Sequence, residues 1–237
     1  MKLAIFDIDG TIFRSSLVIE LVRGLVRHNI FPKKAEAEVQ KEYLAWLNRR
    51  GAYGNYIKKV VEIYIKYIAG KSSTKVFKVA REVVKYQRDR TYRYTRDLIK
   101  QLKKEKYFLA AISGSPTYIV SSYAKAVGFN ACFGTEIEIR KGKFTGKVLN
   151  LDAAYNKKKV LMDFVASKKM IADWQGSTAV GDTESDIEML SLVGRPIAFN
   201  PNHQLAKEAK KRKWKIVVER KDVIYQISNF QFLISNK

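Results

Sequence analysis

The stretch AIFDIDGTIF, residues 4–13, decides how the whole chain is read. An Asp-Gly pair between apolar flanks is the strongest short-range signal for a β-hairpin, and on that reading Asp7 and Asp9 are turn chemistry. On the other reading a buried strand runs from Leu3 to Phe6 and stops at Asp7, so that two carboxylates and a Gly-Thr loop stand at its open end. A hairpin asks nothing of the rest of the sequence. A strand ending in a crevice calls for other strands that end in the same way.

Two further runs meet that demand. Residues 108–112 (FLAAI) are followed by SGSP at 113–116, and residues 178–180 (TAV) by GDTESD at 181–186. Ligands of an open parallel sheet bind outside the carboxyl ends of its strands. Convergence of these three ends gathers Asp7, Asp9, Ser113, Asp182 and Asp186 into one crevice. With a further run at 196–199 (PIAF) and helical segments between, the pattern is that of an α/β protein with a doubly wound, Rossmann-like parallel sheet.

Residues 17–87 read differently. Apolar positions recur there at helical spacing: Leu17, Leu21, Val22, Leu25; Val39, Tyr43, Leu47; Ile57, Val60, Tyr64, Ile68; Val76, Val79, Val83. Breaks at 31–32, 51–54 and 70–73 divide them into four helices, a small bundle inserted after the first strand. The expected division is a core of 1–13 and 93–237 with a helical cap of 14–92. TEIEIRKGKFTGKV, residues 135–148, predicts a hairpin about Lys141-Gly142 at an edge of the core.

Bulk properties narrow the class. With 237 residues and 46% hydrophobic side chains the chain can bury a full core. Cys132 is the single cysteine, which excludes an internal disulfide and fits a reducing compartment. The sequence opens with no leader-like basic and apolar regions and has no apolar run of about eighteen residues, so a cytoplasmic protein is expected. The net charge is +22, and residues 14–106 carry 24 Lys and Arg against 9 Asp and Glu. Such a balance suits a phosphorylated substrate, nucleic acid or an anionic lipid surface. The helical spacing of the basic residues, without a compact arginine patch, favours solvated helix faces instead.

FDIDGT, SGSP, a lysine that leads an amphipathic helix, and GDTESD resemble, in that order, the four successive motifs of the haloacid dehalogenase superfamily. A helical insertion directly after the first motif resembles a small C1-type cap and is most similar to subfamily IB, the branch that contains phosphoserine phosphatase. The segment 199–217 also resembles the Asn-Pro loop, helix and final strand of that branch. The resemblance implies a Mg²⁺-dependent phosphatase that works through an aspartyl-phosphate on a small phosphorylated substrate. Asp7 would be the nucleophile and Asp9 the acid and base; Asp7, Asp182 and the carbonyl of Asp9 would bind the metal. Thr11, Ser113 and Gly114 would hold the phosphoryl oxygens. Asp186 would hold the motif lysine or orient metal-bound water, with Ser185 assisting through water.

Three adjacent lysines compete for the motif position. The motif lysine stands four residues before a leucine and seven before another apolar residue, and Leu161 and Phe164 thereby point to Lys157, with Lys159 as the alternative. The residue types fit the chemistry: a phosphate dianion repels an attacking carboxylate, so a hard cation with oxygen ligands is needed between them. Displacing halide from carbon needs no acid for the leaving group, so Asp9 favours phosphate esters. Phosphoserine phosphatases place a glutamate shortly after the first motif to meet the substrate amine. Here residues 13–21 read FRSSLVIEL, with serines at 15 and 16 and Glu20 further along. Phosphoserine is therefore one candidate among several, and a basic cap suits a more anionic substrate. A competing class is a catalytically silent basic protein that keeps this fold and binds nucleic acid or an anionic surface in a salt-dependent way.

Overall fold

A computed structural model describes residues 1–227 of the chain. It runs from β1 (Leu3–Asp7) into α1 (Leu17–Arg27), α2 (Lys34–Leu47), α3 (Tyr53–Ile68) and α4 (Ser73–Gln87). There follow α5 (Arg93–Lys104), β2 (Phe108–Pro116), α6 (Thr117–Val127) and the strands β3 (Ala131–Arg140) and β4 (Lys143–Asn150). The remainder is α7 (Asp152–Tyr155), α8 (Lys157–Ser167), β5 (Thr178–Gly181), α9 (Ile187–Leu190), β6 (Arg195–Phe199), α10 (His203–Lys211), β7 (Lys215–Arg220) and β8 (Val223–Ile227).

One sheet holds all eight strands in the order β4-β3-β2-β1-β5-β6-β7-β8. The six from β3 to β7 are parallel, and antiparallel β4 and β8 close the two edges. Every residue of β1 is buried, as a strand covered on both faces requires. Its side chains alternate between two apolar clusters. Ala4 and Phe6 join one with Leu109, Ala111 and Val180, under α5 and α6. Leu3 and Ile5 join the other with Ala110, Ile112 and Ala179, against Leu161 of α8, Leu190 of α9 and Leu205 of α10. The fold is thus α/β and doubly wound, and its connections reverse direction at β1, where a crevice opens at the carboxyl ends.

The Asp9-Gly10 turn exists, but it does not make a hairpin. The carbonyl of Ile8 accepts from the amides of Thr11, Ile12 and Phe13 at 3.3, 3.0 and 2.9 Å, winding the chain into a tight loop that moves on instead of folding back along β1. The four helices predicted between 17 and 87 are present. α1 and α4 meet closely at Gly24, where an added Cβ would stand 2.7 Å from a methyl of Val83. The bundle has no separate core: Leu21, Leu25, Val60, Tyr64, Val79 and Val83 belong to the same cluster as Ile119, Val120 and Tyr123 of α6. The chain enters and leaves the bundle side by side. Phe13 and Thr91 form an antiparallel bridge, the Arg14 amide donates to the Arg90 carbonyl at 2.9 Å, and the Tyr92 amide to the Ile12 carbonyl at 3.0 Å.

Two strands differ from expectation. The hairpin about Lys141-Gly142 forms, but its first strand begins at Ala131 and pairs in parallel with β2, so it belongs to the main sheet. β8, with its sparse alternation VIYQI, was not expected and pairs with residues 216–220 of β7. No helix among the described residues is long and apolar enough to cross a membrane.

Candidate active site

The sheet register levels the strand ends. Asp7 lies opposite Ile112, and Phe6 opposite Val180, so the residues that follow, SGSP and GDTESD, stand beside the Asp7 carboxylate. Lys157, the first residue of α8, is buried and places its ammonium between two carboxylates, 2.6 Å from Asp7 Oδ1 and 2.5 Å from Asp186 Oδ1. Of the three adjacent lysines, it is Lys157 that meets the Asp7 carboxylate. Leu161, one turn on, anchors the inner face of α8 in the core; Lys158 and Lys159 point outward, the latter to Asp152 at 2.8 Å and Asp163 at 3.2 Å.

Asp186 has two tasks. Its Oδ1 holds Lys157, and its Oδ2 accepts from the amides of Asp182 and Thr183, each at 3.0 Å, in a capping box that fixes the turn Glu184–Asp186. Asp182 is thereby presented toward Gly10 and accepts from Thr11 Oγ1 at 3.1 Å. Gly10 has φ +83°, and a Cβ there would lie 2.2 Å from Asp182 Oδ2. Gly10→Ala is expected to destabilise the protein by about 1–2 kcal/mol, because alanine is strained at positive φ and displaces the carboxylate. A denaturation midpoint unchanged from the parent would contradict this close approach.

The predicted residues come together, though not all in the predicted posture. Asp9 accepts three hydrogen bonds: from the Leu17 amide at 2.6 Å, from Ser113 Oγ at 2.6 Å and from Ser115 Oγ at 2.7 Å. The hydroxyl of Ser113 thus donates to Asp9, and that of Thr11 to Asp182. The carbonyl of Gly114 accepts from Thr135 Oγ1 at 2.7 Å. Ser185 bonds to Thr183 Oγ1 at 2.9 Å, one residue removed from Asp182. Ser115 was missed; the only signal for it was a second hydroxyl in SGSP. Glu20, the acid nearest the first motif on the bundle side, is buried and already engaged with Ser15 at 2.9 Å, Arg90 at 3.1 Å and Arg23 at 3.3 Å.

Electrostatically the site carries four carboxylates and one ammonium. Burial pushes Asp7 up to about 7 against the pull of Lys157, with Asp186 and Asp9 adding to the rise. Burial also raises Asp9, opposed by its bonds from Ser113, Leu17 and Ser115, and raises Asp182 well above the ordinary value, helped by Asp7 and Asp186. For Lys157 burial acts downward, but Asp186 and Asp7 outweigh it and hold the ammonium charged. Asp7 Oδ2 is buried and has no hydrogen-bond partner. Among the described residues no three acidic or imidazole side chains form a complete metal cage. A cation here would draw on the Asp7 and Asp182 carboxylates, with the backbone and water completing its shell. On the bundle side, Tyr53 at the start of α3 stands in the field of Asp9 and Asp182, and burial together with these charges holds its hydroxyl far above its ordinary value. Trp46 packs on its ring at 5.2 Å.

Residues 4–191 match the haloacid dehalogenase-like hydrolase family. The chain is 26% identical over 206 residues to phosphoserine phosphatase of Archaeoglobus fulgidus, covering 86% of this chain and 54% of that one, so it spans about half the length of that relative. It is 25% identical over 222 residues to phosphoserine phosphatase of Methanocaldococcus jannaschii, covering 94% of each. A solved structure of a phospho-aspartyl intermediate analogue of phosphoserine phosphatase superimposes with a TM-score of 0.60 over 93% of this chain and 94% of that one, at 23% identity. With its strand ends, its buried lysine and its inserted bundle, the chain belongs to the haloacid dehalogenase-like hydrolase family, on the phosphoserine phosphatase-like side.

Proposed function

We propose that this protein hydrolyses phosphomonoesters through an aspartyl-phosphate on Asp7, with residues 14–92 acting as a cap over the site. The observation that carries the reading is the Asp7 carboxylate: one oxygen is held by Lys157 and the other is buried without a hydrogen-bond partner. The excess of negative charge and the hard oxygen donors around it fit a divalent cation, for which Mg²⁺ is the natural choice. Asp7, Asp182 and the Asp9 carbonyl would hold the ion, which would supply the positive charge that offsets the repulsion between carboxylate and phosphate dianion.

The residues then have distinct tasks. Asp7 Oδ2 attacks phosphorus and the bond to the leaving oxygen breaks, while Asp9 gives that oxygen a proton. A water next attacks the phosphoryl group, Asp9 takes its proton, and phosphate leaves with Asp7 restored. Lys157 holds Asp7 in line throughout and Asp186 holds Lys157. Preorganised cations and amides of this kind contribute on the order of 3 kcal/mol each to the transition state.

The substrate is a small phosphorylated molecule, and phosphoserine has no privileged claim. Glu20 is spent on Arg23 and Arg90, and Ser15 and Ser16 stand where an amine-binding acid is expected. Phosphate release from phosphoserine, phenyl phosphate and a nucleoside monophosphate, each with Mg²⁺, tests the reaction and ranks the classes together. Failure of the wild-type protein on the whole panel would overturn the assignment.

Metal binding has a readout of its own. At 100 times its dissociation constant Mg²⁺ is expected to stabilise the folded protein by about 2.7 kcal/mol, seen as a rise in melting temperature that a chelator reverses. Asp182→Asn should abolish that rise; a rise of equal size in the variant would place the ion elsewhere.

A further inference from the structure

Three donors converge on Asp9, and one of the two side chains among them has no place in the motif chemistry. Ser115, buried at 2% exposure, donates to Asp9 Oδ2 at 2.7 Å and accepts from the Val18 amide at 3.1 Å. The neighbouring amide, Leu17, donates directly to Asp9 Oδ1 at 2.6 Å. The first turn of α1 is thus laid on the Asp9 carboxylate, once directly and once through the Ser115 hydroxyl. We propose that Ser115 is a positioning residue for acid–base catalysis, fixing Asp9 Oδ2 and tying it to the first turn of the inserted bundle. The proposal rests on the phosphatase reading given above.

The two oxygens of Asp9 differ in what they can do. Oδ1 faces an amide, which can only donate, so it stays an acceptor. Oδ2 faces the hydroxyls of Ser113 and Ser115, each of which can turn from donor to acceptor. Oδ2 is therefore the oxygen that can carry a proton while keeping its partners. As Asp7 bonds to phosphorus and the ester bond breaks, that proton passes to the leaving oxygen, and the two serines turn back to donate to the carboxylate. Ser113 also accepts from the Ser115 amide at 2.9 Å, so its rotation is steered by the same residue. Without the Ser115 hydroxyl Oδ2 loses one of its two partners and the Val18 amide loses its acceptor, so the acid and the bundle are no longer joined at this point.

A positioning role for the acid is separable from a structural one by leaving group. Phenyl phosphate and p-nitrophenyl phosphate have nearly the same shape, but nitrophenolate departs without a proton and phenolate benefits from one. In Ser115→Ala, kcat/KM for phenyl phosphate is expected to fall about tenfold or more, and for p-nitrophenyl phosphate less than about threefold, since only the first draws on general acid catalysis. Ser115→Cys, of nearly the same size with a weaker donor, should lie between. It carries the comparison alone if a thermal melt shows that the alanine variant does not fold. Equal falls on the two esters, or no fall, would overturn the proposal while leaving the phosphatase assignment standing. A wild-type protein inert toward both esters sinks that assignment and this proposal with it.

Discussion

Asp7→Asn is expected to lower phosphate release by on the order of 10⁴-fold or more, because the amide cannot form the acyl phosphate and the remaining groups have no nucleophile to orient. The fold should survive. Lys157 keeps its bond to Asp186, and an amide replaces a carboxylate whose charge burial already opposes. Circular dichroism and melting temperature measured beside phosphate release separate loss of chemistry from loss of structure. The same variant discriminates the competing class of protein. A basic scaffold that binds nucleic acid would show salt-dependent binding in both forms and no turnover in either. Substantial turnover by the variant would remove Asp7 from the mechanism.

Lys157→Met should be the most damaging substitution for stability. It leaves the buried carboxylates of Asp7 and Asp186 facing each other without the ammonium that joins them, and breaking a buried ion pair in this way costs about 3–5 kcal/mol. The sign with pH follows from the buried carboxyls. A carboxyl whose folded pKa is raised contributes stability that is fully present below its ordinary value of 3.8 and is lost as pH rises through the folded value, about 7 for Asp7 in the parent. Removing the ammonium raises the folded values further. The deficit of the variant relative to the parent should therefore be smaller near pH 5 than near pH 8, as denaturant unfolding at the two pH values would show. Lys159→Ala, at an exposed ion pair on the outer face of α8, should change stability by less than about 0.5 kcal/mol. Similar losses in the two variants would mean that the buried ammonium is not what holds the site together.

The parts of the fold legible in the sequence are those whose pattern is fixed by complete burial. β1, β5 and the first five residues of β2 are short apolar runs followed by small and polar residues, since both faces are covered there. The bundle is legible because its helices bury one stripe each. What escaped notice was set by partners distant in sequence. The parallel half of β3, ACFG at 131–134, is too short to stand apart from the hairpin that continues it, and β8 gains its order from β7 rather than from its own alternation.

The site divides in the same way. Asp7, Asp9 and Asp182 follow directly from where strands end. The identity of the lysine was decided by which face of α8 packs inward, which the spacing to Leu161 foreshadowed. The partners of the hydroxyls are not legible locally. Nothing near Ser113 or Thr11 in sequence says that their protons go to Asp9 and Asp182, because those acceptors arrive from 104 residues before the one and 171 residues after the other.

The bridge between Phe13 and Thr91 bears on how such a protein diversifies. The 77 intervening residues depart and return at adjacent points, an antiparallel bridge some 5 Å across beyond the end of β1. Any insert with closely spaced ends could be spliced there without moving β1 or its carboxylates, provided it offers α6 an apolar face to lie against. The bundle and the strand-end carboxylates thus occupy separable lengths of chain, and the one can be exchanged while the other is inherited unchanged.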